Sequence, residues 1–292
     1  MNWYEQMNKA IDYIEANICG DIDFNEIAKI ICQSPANFQR TFSIVTGISI
    51  FEYIRRRKMT LAAFEMQNSE IKVVDVAYKF GYESPEAFAR SFKEIHGVSP
   101  TSARKEGIQL KTFPRITFLL TIKGAIAMDY RIESKETFKV YGIEGIFNTE
   151  GGKNLIDIPK FWQNCNENGS VEKLVRSTNE PLSRIHAICC YRKVEGDMNT
   201  FPYMLFAYHT KNCDTTGYTE VIVPAATWAI FTTEKHTQEQ TVEVFQNHIK
   251  RVYTDWLPTA AYRKVDGYEL ELYFVADIDK YYCETWIRVE PK

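Results

Sequence analysis

Ser84-Pro85-Glu86-Ala87-Phe88-Ala89-Arg90-Ser91-Phe92-Lys93-Glu94-Ile95-His96-Gly97-Val98-Ser99-Pro100 carries its own start and stop signals. Ser84 is a preferred helix N-cap, Pro85 suits the first helical position, and Gly97 can end the helix in the left-handed conformation. Phe88, Phe92 and Ile95 recur at +4 and +3, so one stripe faces a core. Ala87, Arg90 and Lys93 fall largely off that stripe, towards solvent or a partner. Fifty residues earlier the pattern stands again as Ser34-Pro35-Ala36-Asn37-Phe38-Gln39-Arg40-Thr41-Phe42-Ser43-Ile44-Val45-Thr46-Gly47-Ile48-Ser49. Seven of the sixteen aligned positions are identical: Ser, Pro, Phe, Arg, Phe, Gly and Ser. A repeat of this kind is one supersecondary unit used twice.

An amphipathic helix precedes each copy, Phe24 to Ile31 in the first and Val73 to Phe80 in the second. Gly81 stands where the second turn needs it. Helix, tight turn and second helix with an outward Arg describe a helix-turn-helix, whose second helix can enter a DNA major groove. The alternative is a plain helical bundle whose repeated Phe residues only fill cores. Two copies presenting an Arg at the same place favour the DNA reader.

These residues resemble the DNA-binding domain of the AraC/XylS family of bacterial transcription regulators, over about Asp12 to Arg104. The second copy carries most of the signature: Asp75-Val76-Ala77, Gly81-Tyr82, Ser84, Phe88, Arg90-Ser91-Phe92-Lys93, Gly97-Val98-Ser99-Pro100 and Arg104. The resemblance implies two reading helices in adjacent major-groove segments. Ala36, Gln39 and Arg40 would lie in the first, and Glu86, Ala87, Ala89 and Arg90 in the second. Ala36 and Ala87 are small where relatives often carry larger contacting side chains, so the recognised sequence does not transfer.

The 292 residues suffice for two domains with separate cores, and the composition is that of an ordinary globular protein. No apolar run approaches a membrane span, and the N-terminus lacks a signal-peptide pattern. The seven Cys are scattered without metal-ligand spacing, which suggests reduced thiols, a cytoplasmic location, and neither metal nor cofactor. The net charge is −3, and residues 1–106 hold 13 basic and 14 acidic side chains. Distribution therefore matters more than the sum. Arg40, Arg55-Arg56-Arg57-Lys58, Arg90, Lys93 and Arg104 cluster near the proposed reading elements. Arg55 and Arg56 are expected to meet phosphates, although a run of four bases is often only a solvated face. Binding to double-stranded DNA should then be strongly salt-dependent, with specificity carried by base contacts.

The chain divides into an all-α double helix-turn-helix over 1–106, a linker over 107–115 and an α+β domain over 116–292. A first helix is expected over 3–17, and one from Ser49 to about Met66 should join the two reading units. Beyond the linker, Ile116–Ile122 and Ala125–Ile132 look like strands. The rest reads as strand-helix-strand-strand used twice, with helices near Ile156–Asn168 and Thr237–Leu257, so the domain should be pseudo-symmetric. Thr237 with Gln240 forms a capping box. Val242, Phe245, Ile249, Val252 and Trp256 give the second helix one apolar face.

This second part resembles the GyrI-like effector-binding domains. The likeness rests on Tyr130-Arg131-Ile132, Ile158-Pro159-Lys160-Phe161-Trp162, Val223 to Phe231, Trp256-Leu257-Pro258 and Glu271-Leu272-Tyr273. It implies a cleft between the halves that binds small organic molecules, often lipophilic cations, with Glu271 matching the family's buried acid. Strand alternation in Tyr268–Phe274 puts Leu270, Leu272 and Phe274 on one face and Glu269, Glu271 and Tyr273 on the other. If the second face meets water, the acids are ordinary solvated groups. If it lines a cleft with Trp162, Trp228 and Phe231, the site is aromatic-walled and acid-floored, fit for organic cations.

The expected function is a DNA-binding, one-component transcription regulator whose C-terminal domain binds a small effector, with RNA polymerase as a further partner. Two alternatives differ in class. A pocket Glu could serve a small-molecule hydrolase as a base, although no nucleophile–base pair is apparent. The second domain could instead be a ligand-free protein-interaction module.

Overall fold

The structure is a computed structural model that describes residues 3–68, 70–105, 107–119, 127–180, 183–191 and 199–292. The N-terminal part is helical: α1 (Trp3–Ala16), α2 (Phe24–Ile31), α3 (Pro35–Thr46), α4 (Ile50–Asn68), α5 (Val73–Lys79) and α6 (Pro85–His96). The second helices of the two units, α3 and α6, are capped alike. The Ser34 hydroxyl accepts from Asn37 N–H and that of Ser84 from Ala87 N–H, while Gly47 and Gly97 close the helices at φ 76° and 79°. An L side chain there would be strained, so glycine fixes both stops.

The two helix-turn-helix units pack in different clusters, and that of the first is shared with Ile249, Tyr253 and Leu257 of the C-terminal part. Phe38 and Phe42 of α3 pack with Trp3, Ile11, Ile27 and Tyr53. Phe88, Phe92 and Ile95 of α6 pack with Met59, Ala62 and Phe80. Burying each Phe contributes about 1.5–3 kcal/mol. The long α4 joins both cores, as its length suggests.

After Arg104 the expected strand over Ile116–Ile122 does not form within the described part of that stretch. Residues 107–119 contain no strand, and residues 120–126 lie outside the described residues. The apolar side chains that suggested a strand serve the helical part instead. Leu110 and Phe113 pack on the second core, and Ile116 and Phe118 on the first. Asn8 pins this strap, donating to Phe118 C=O and accepting from Phe118 N–H, both at 2.8 Å.

The C-terminal part is one eight-stranded antiparallel sheet with three helices: β1 (Tyr130–Lys135), β2 (Phe138–Asn148), α7 (Lys153–Glu167), α8 (Ser170–Ser177), β3 (His186–Cys190), β4 (Thr200–Tyr208), β5 (Thr219–Val223), β6 (Ala226–Thr232), α9 (Thr241–Arg251), β7 (Tyr262–Asp277) and β8 (Lys280–Pro291). A single π-helical turn, Val252–Trp256, continues α9. The strand order is β1-β6-β8-β7-β3-β4-β2-β5. The two strand-helix-strand-strand units therefore meet at β7 and β3, related by a pseudo-twofold. Each unit also exchanges a leading strand: β1 precedes β2 but pairs with β6, and β5 precedes β6 but pairs with β2. This exchange ties the halves at both edges. Among the described residues no helix is long and apolar enough to cross a membrane.

Alternation sorts the sheet into two faces. Val140, Ile188, Met204, Trp228, Leu270 and Leu272 form a core on one. Tyr141, Ala187, Cys189, Tyr203 and Leu205 meet α7 and α8 on the other. His186 is buried at the central seam, where Tyr273 N–H donates to its Nδ1 at 3.2 Å. Burial, helped by the Arg184 charge, pushes this imidazole down to about 4. Burial and Arg251 do the same for His248.

These lowered values mean that the unfolded chain binds protons more readily. Stability from the two histidines is therefore full above pH 6.5 and drains as pH falls towards 4. The expected loss is about 1.4 kcal/mol per pH unit for each histidine. Urea unfolding at pH 7, 6 and 5 should show this slope. His186→Gln, which keeps an acceptor for Tyr273, should remove about half of it.

Candidate functional site

The central seam carries a charged cluster on its helix-facing side. Register pairs Ala187 with Glu271 and Cys189 with Glu269, so two carboxylates two residues apart on β7 project from one face. Both are buried, at 2% and 5% exposure for Glu269 and Glu271. The counter-charge comes from the other end of the chain. Arg40 of α3 donates from Nη2 to Glu271 Oε1 at 2.8 Å and from Nη1 to Glu269 Oε2 at 2.9 Å. It also donates to the Tyr191 hydroxyl at 3.0 Å.

The second oxygens are engaged too. Glu271 Oε2 accepts from Tyr203 OH at 2.8 Å and Tyr273 OH at 3.1 Å. Glu269 Oε1 accepts from Tyr253 OH at 2.8 Å and pairs with the buried Lys264 ammonium. Tyr253 lies in the π-helical turn, whose wider winding occurs here beside the cluster. Lys264 also sits over the Tyr253 and Tyr191 rings, at 5.1 and 5.8 Å.

Formally the cluster balances, with Arg40 and Lys264 against Glu269 and Glu271. Burial opposes every charge in it. Even so, Lys264 and Arg40 hold the Glu269 carboxyl below the usual range. Burial likewise opposes the Lys264 charge, yet Glu269 holds its ammonium above the usual lysine range. Burial, joined by the Glu271 charge, pushes the Tyr203 and Tyr273 hydroxyls up, so both stay protonated donors to Glu271.

Beside this cluster lies a cavity of about 550 Å³ between α7, α9 and the sheet. Its wall includes Trp162, Phe245, Ile249 and Tyr273, and both Glu271 and Arg40 border it. Trp162 is fixed by its indole N–H, which donates to Tyr203 OH at 2.9 Å, and by an edge contact to the Tyr273 ring. Asn154, in the first turn of α7, also lines the cavity. It is 1% exposed, and neither end of its carboxamide has a hydrogen-bond partner among the described residues.

The structure therefore brings together Glu271, Trp162 and Tyr273, but not Trp228 or Phe231. These two are three positions apart on β6, and an odd separation sends them to opposite faces. Trp228 belongs to the core on the far face. Phe231 packs under Trp256, ring centroids 4.8 Å apart, outside the cavity lining. Glu269, Lys264, Tyr203 and Asn154 had no assigned role from sequence. Glu269 shares a strand face with Glu271, which was legible; the others gave no local signal.

The residues expected from sequence to read DNA divide between two environments. On α6, Glu86, Arg90 and Lys93 are exposed and Ala87 and Ala89 partly so. On α3, Ala36, Gln39 and Arg40 are buried against the C-terminal part. Ala36 packs with Tyr191 and Phe201. Gln39 donates to Asn199 Oδ1 at 2.7 Å and accepts from Thr149. Asp266 completes the docking, accepting from Ser34 N–H at 2.9 Å and Asn37 Nδ2 at 2.5 Å. Arg55 and Arg56 are half-buried on α4, both paired with Glu52. Arg55 also reaches Glu94, and Arg56 lies over the Phe113 ring.

Comparison with known proteins gives a match in each part of the chain. A helix-turn-helix domain model matches residues 27–106, and a GyrI-like small molecule binding domain model matches residues 128–290. The HTH-type transcriptional activator AarP of Providencia stuartii is 33% identical over 98 residues, 34% of this chain and 73% of that protein. The multiple antibiotic resistance protein MarA of Escherichia coli (strain K12) is 30% identical over 103 residues, 35% of this chain and 81% of that protein. Among solved structures, SAV2435 bound to tetraphenylphosphonium aligns with 56% of this chain and 94% of its own, at 19% identity and a TM-score of 0.44. With a double helix-turn-helix ahead of a two-fold sheet that encloses a cavity, the chain belongs to the AraC-type transcription regulators that carry a GyrI-like small molecule binding domain.

Proposed function

We propose that the effector of this regulator is an organic cation held at Glu271, with Trp162 and Tyr273 as aromatic walls. One observation carries the reading: the Glu271 carboxylate borders the cavity and already holds a planar, delocalised cation, the Arg40 guanidinium. Without Arg40 the cluster has two buried carboxylates, Glu269 and Glu271, against the single ammonium of Lys264. That leaves one negative charge beside an aromatic cavity, which selects a monocation by charge and cation–π attraction. The unpartnered Asn154 carboxamide favours an effector with a polar group at its far end. Glu271 acts in this reading as a counter-ion rather than a base, so ligand is bound and not turned over. Saturable quenching of Trp fluorescence by tetraphenylphosphonium in the full chain tests the reading; absence of any saturable change would end it.

DNA contact is assigned to α6 through Arg90 and Lys93 with Glu86, Ala87 and Ala89, and to Arg55 and Arg56 at phosphates. Ala36, Gln39 and Arg40 of α3 would read the adjacent groove segment when undocked. RNA polymerase contact and action in the cytoplasm fit the same role. Arg90→Ala should weaken operator binding about 10- to 100-fold, the effect of one lost base contact. It should leave effector binding unchanged. Electrophoretic mobility shift on a selected operator checks this; equal affinity in the variant would remove α6 as a reading helix.

A further inference from the structure

We infer that Arg40 is a built-in competitor for the effector: α3 docked on the sheet and a cation at Glu271 exclude one another, so the effector frees the first DNA-reading helix. The inference rests on the effector reading above and extends it to regulation. Three observations converge on it. First, Glu271, the proposed counter-ion of the effector, borders the cavity and is already held by Arg40 Nη2 at 2.8 Å. Second, the residues of α3 that would face DNA are the residues that face the C-terminal part. Ala36, Gln39 and Arg40 are 4%, 1% and 7% exposed, whereas Glu86 and Arg90 of α6 lie open. A docked α3 cannot enter a major groove, so only one of the two reading helices is available to DNA. Third, beside an apolar seam in which Ile249, Tyr253 and Leu257 share a core with Phe38 and Phe42, α3 is held by polar, side-chain mediated contacts. They involve Asp266 with Ser34 and Asn37, Lys264 with Asn37 Oδ1 at 2.8 Å, and Gln39 with Asn199 and Thr149. Water and DNA can replace such contacts at modest net cost.

Charge makes the exchange one for one. A monocation at Glu271 restores the balance that Arg40 would otherwise supply, so a buried carboxylate is never left bare. The released Arg40 regains solvent and becomes a donor for a base edge or phosphate. Effector and DNA then both favour the undocked state, which couples two sites that share no atom of contact. The apparent effector affinity must be lowered by the docked fraction.

The test uses the full chain in four forms: wild type, Asp266→Ala, Arg40→Met and Glu271→Gln. Asp266→Ala loosens the docking without touching the cavity or the α3 reading face. Arg40→Met removes the competing charge and keeps the bulk. Tetraphenylphosphonium is the probe, with binding followed by calorimetry and the helices by hydrogen–deuterium exchange. Saturating probe should raise exchange across 35–46 while leaving 85–96 unchanged. Asp266→Ala should show the raised exchange without probe. Both Asp266→Ala and Arg40→Met should bind the probe about 5- to 10-fold more tightly than wild type. Equal probe affinity in wild type, Asp266→Ala and Arg40→Met, with no change over 35–46, would overturn the competition and leave the effector reading standing. No probe binding by any form would overturn the effector reading and the competition with it. Thermal melts of each form verify folding, and either of the two docking variants suffices alone.

Discussion

Glu269→Ala should lower the unfolding free energy by about 3–5 kcal/mol, the usual result of removing one partner from a buried ion pair. Glu269 is the charge on which Lys264, Arg40, Tyr253 and Tyr191 all converge. Without it the Lys264 ammonium, whose side chain is 2% exposed, has no anion in contact, and Arg40 keeps only Glu271. Chemical denaturation at pH 7 measures the loss directly. Lys264→Met in the same chain should recover much of it, because the second change removes the stranded cation and leaves an apolar side chain of similar length. A loss below about 1 kcal/mol in the single variant would mean that the cluster does not depend on Glu269. The depressed carboxyl of Glu269 adds a pH signature. Its contribution is complete above the ordinary carboxylate value near 4.5 and is lost as pH falls through the lower folded-state value. The Glu269→Ala variant should lack that part of the acid transition.

Glu271→Gln should reduce affinity for tetraphenylphosphonium roughly a hundredfold, corresponding to about 2–3 kcal/mol. Gln keeps an oxygen that can accept from Tyr203 or Tyr273, so the shape of the cavity survives while its charge is removed. The same substitution weakens the hold on α3, since Arg40 and Lys264 would then share Glu269 alone. The variant is expected to combine lost cation binding with raised exchange over residues 35–46 in the absence of ligand. Loss of binding without loosening of α3 would mean that Glu269 alone retains Arg40. Unchanged affinity would place the cation elsewhere in the cavity and remove Glu271 as its counter-ion. Calorimetry of the full-length variant against wild type decides between them.

Much of the architecture was legible in short windows. Both reading helices follow from local chemistry: Ser-Pro starts, Gly stops and apolar residues at +4 and +3. Each of these acts within one or two turns. The doubled strand-helix-strand-strand order and the alternation in Tyr268–Phe274 were equally local, and the latter put Glu269, Glu271 and Tyr273 on one face. Where local reasoning failed, long-range packing was the cause. Ile116 and Phe118 have strand-like periodicity, but a hydrophobic side chain does not specify which core takes it, and α1 with α3 supplied one. Trp228 and Phe231 are aromatic and close in sequence, yet one position of strand parity separates their faces.

By itself the sequence determined the two capped helix-turn-helix units, the pseudo-repeated sheet and the acid-bearing strand, because hydrogen bonds and periodicity over a few residues specify each. Only the tertiary structure decided what Arg40 does. Its partner Glu271 is 231 positions away, and no spacing rule connects a residue on a reading helix with one on a distant strand. The two meet because burying Glu269 and Glu271 beside a single Lys264 leaves a charge to be neutralised in a low-dielectric site. The helix that was legible as a DNA reader supplies the cation.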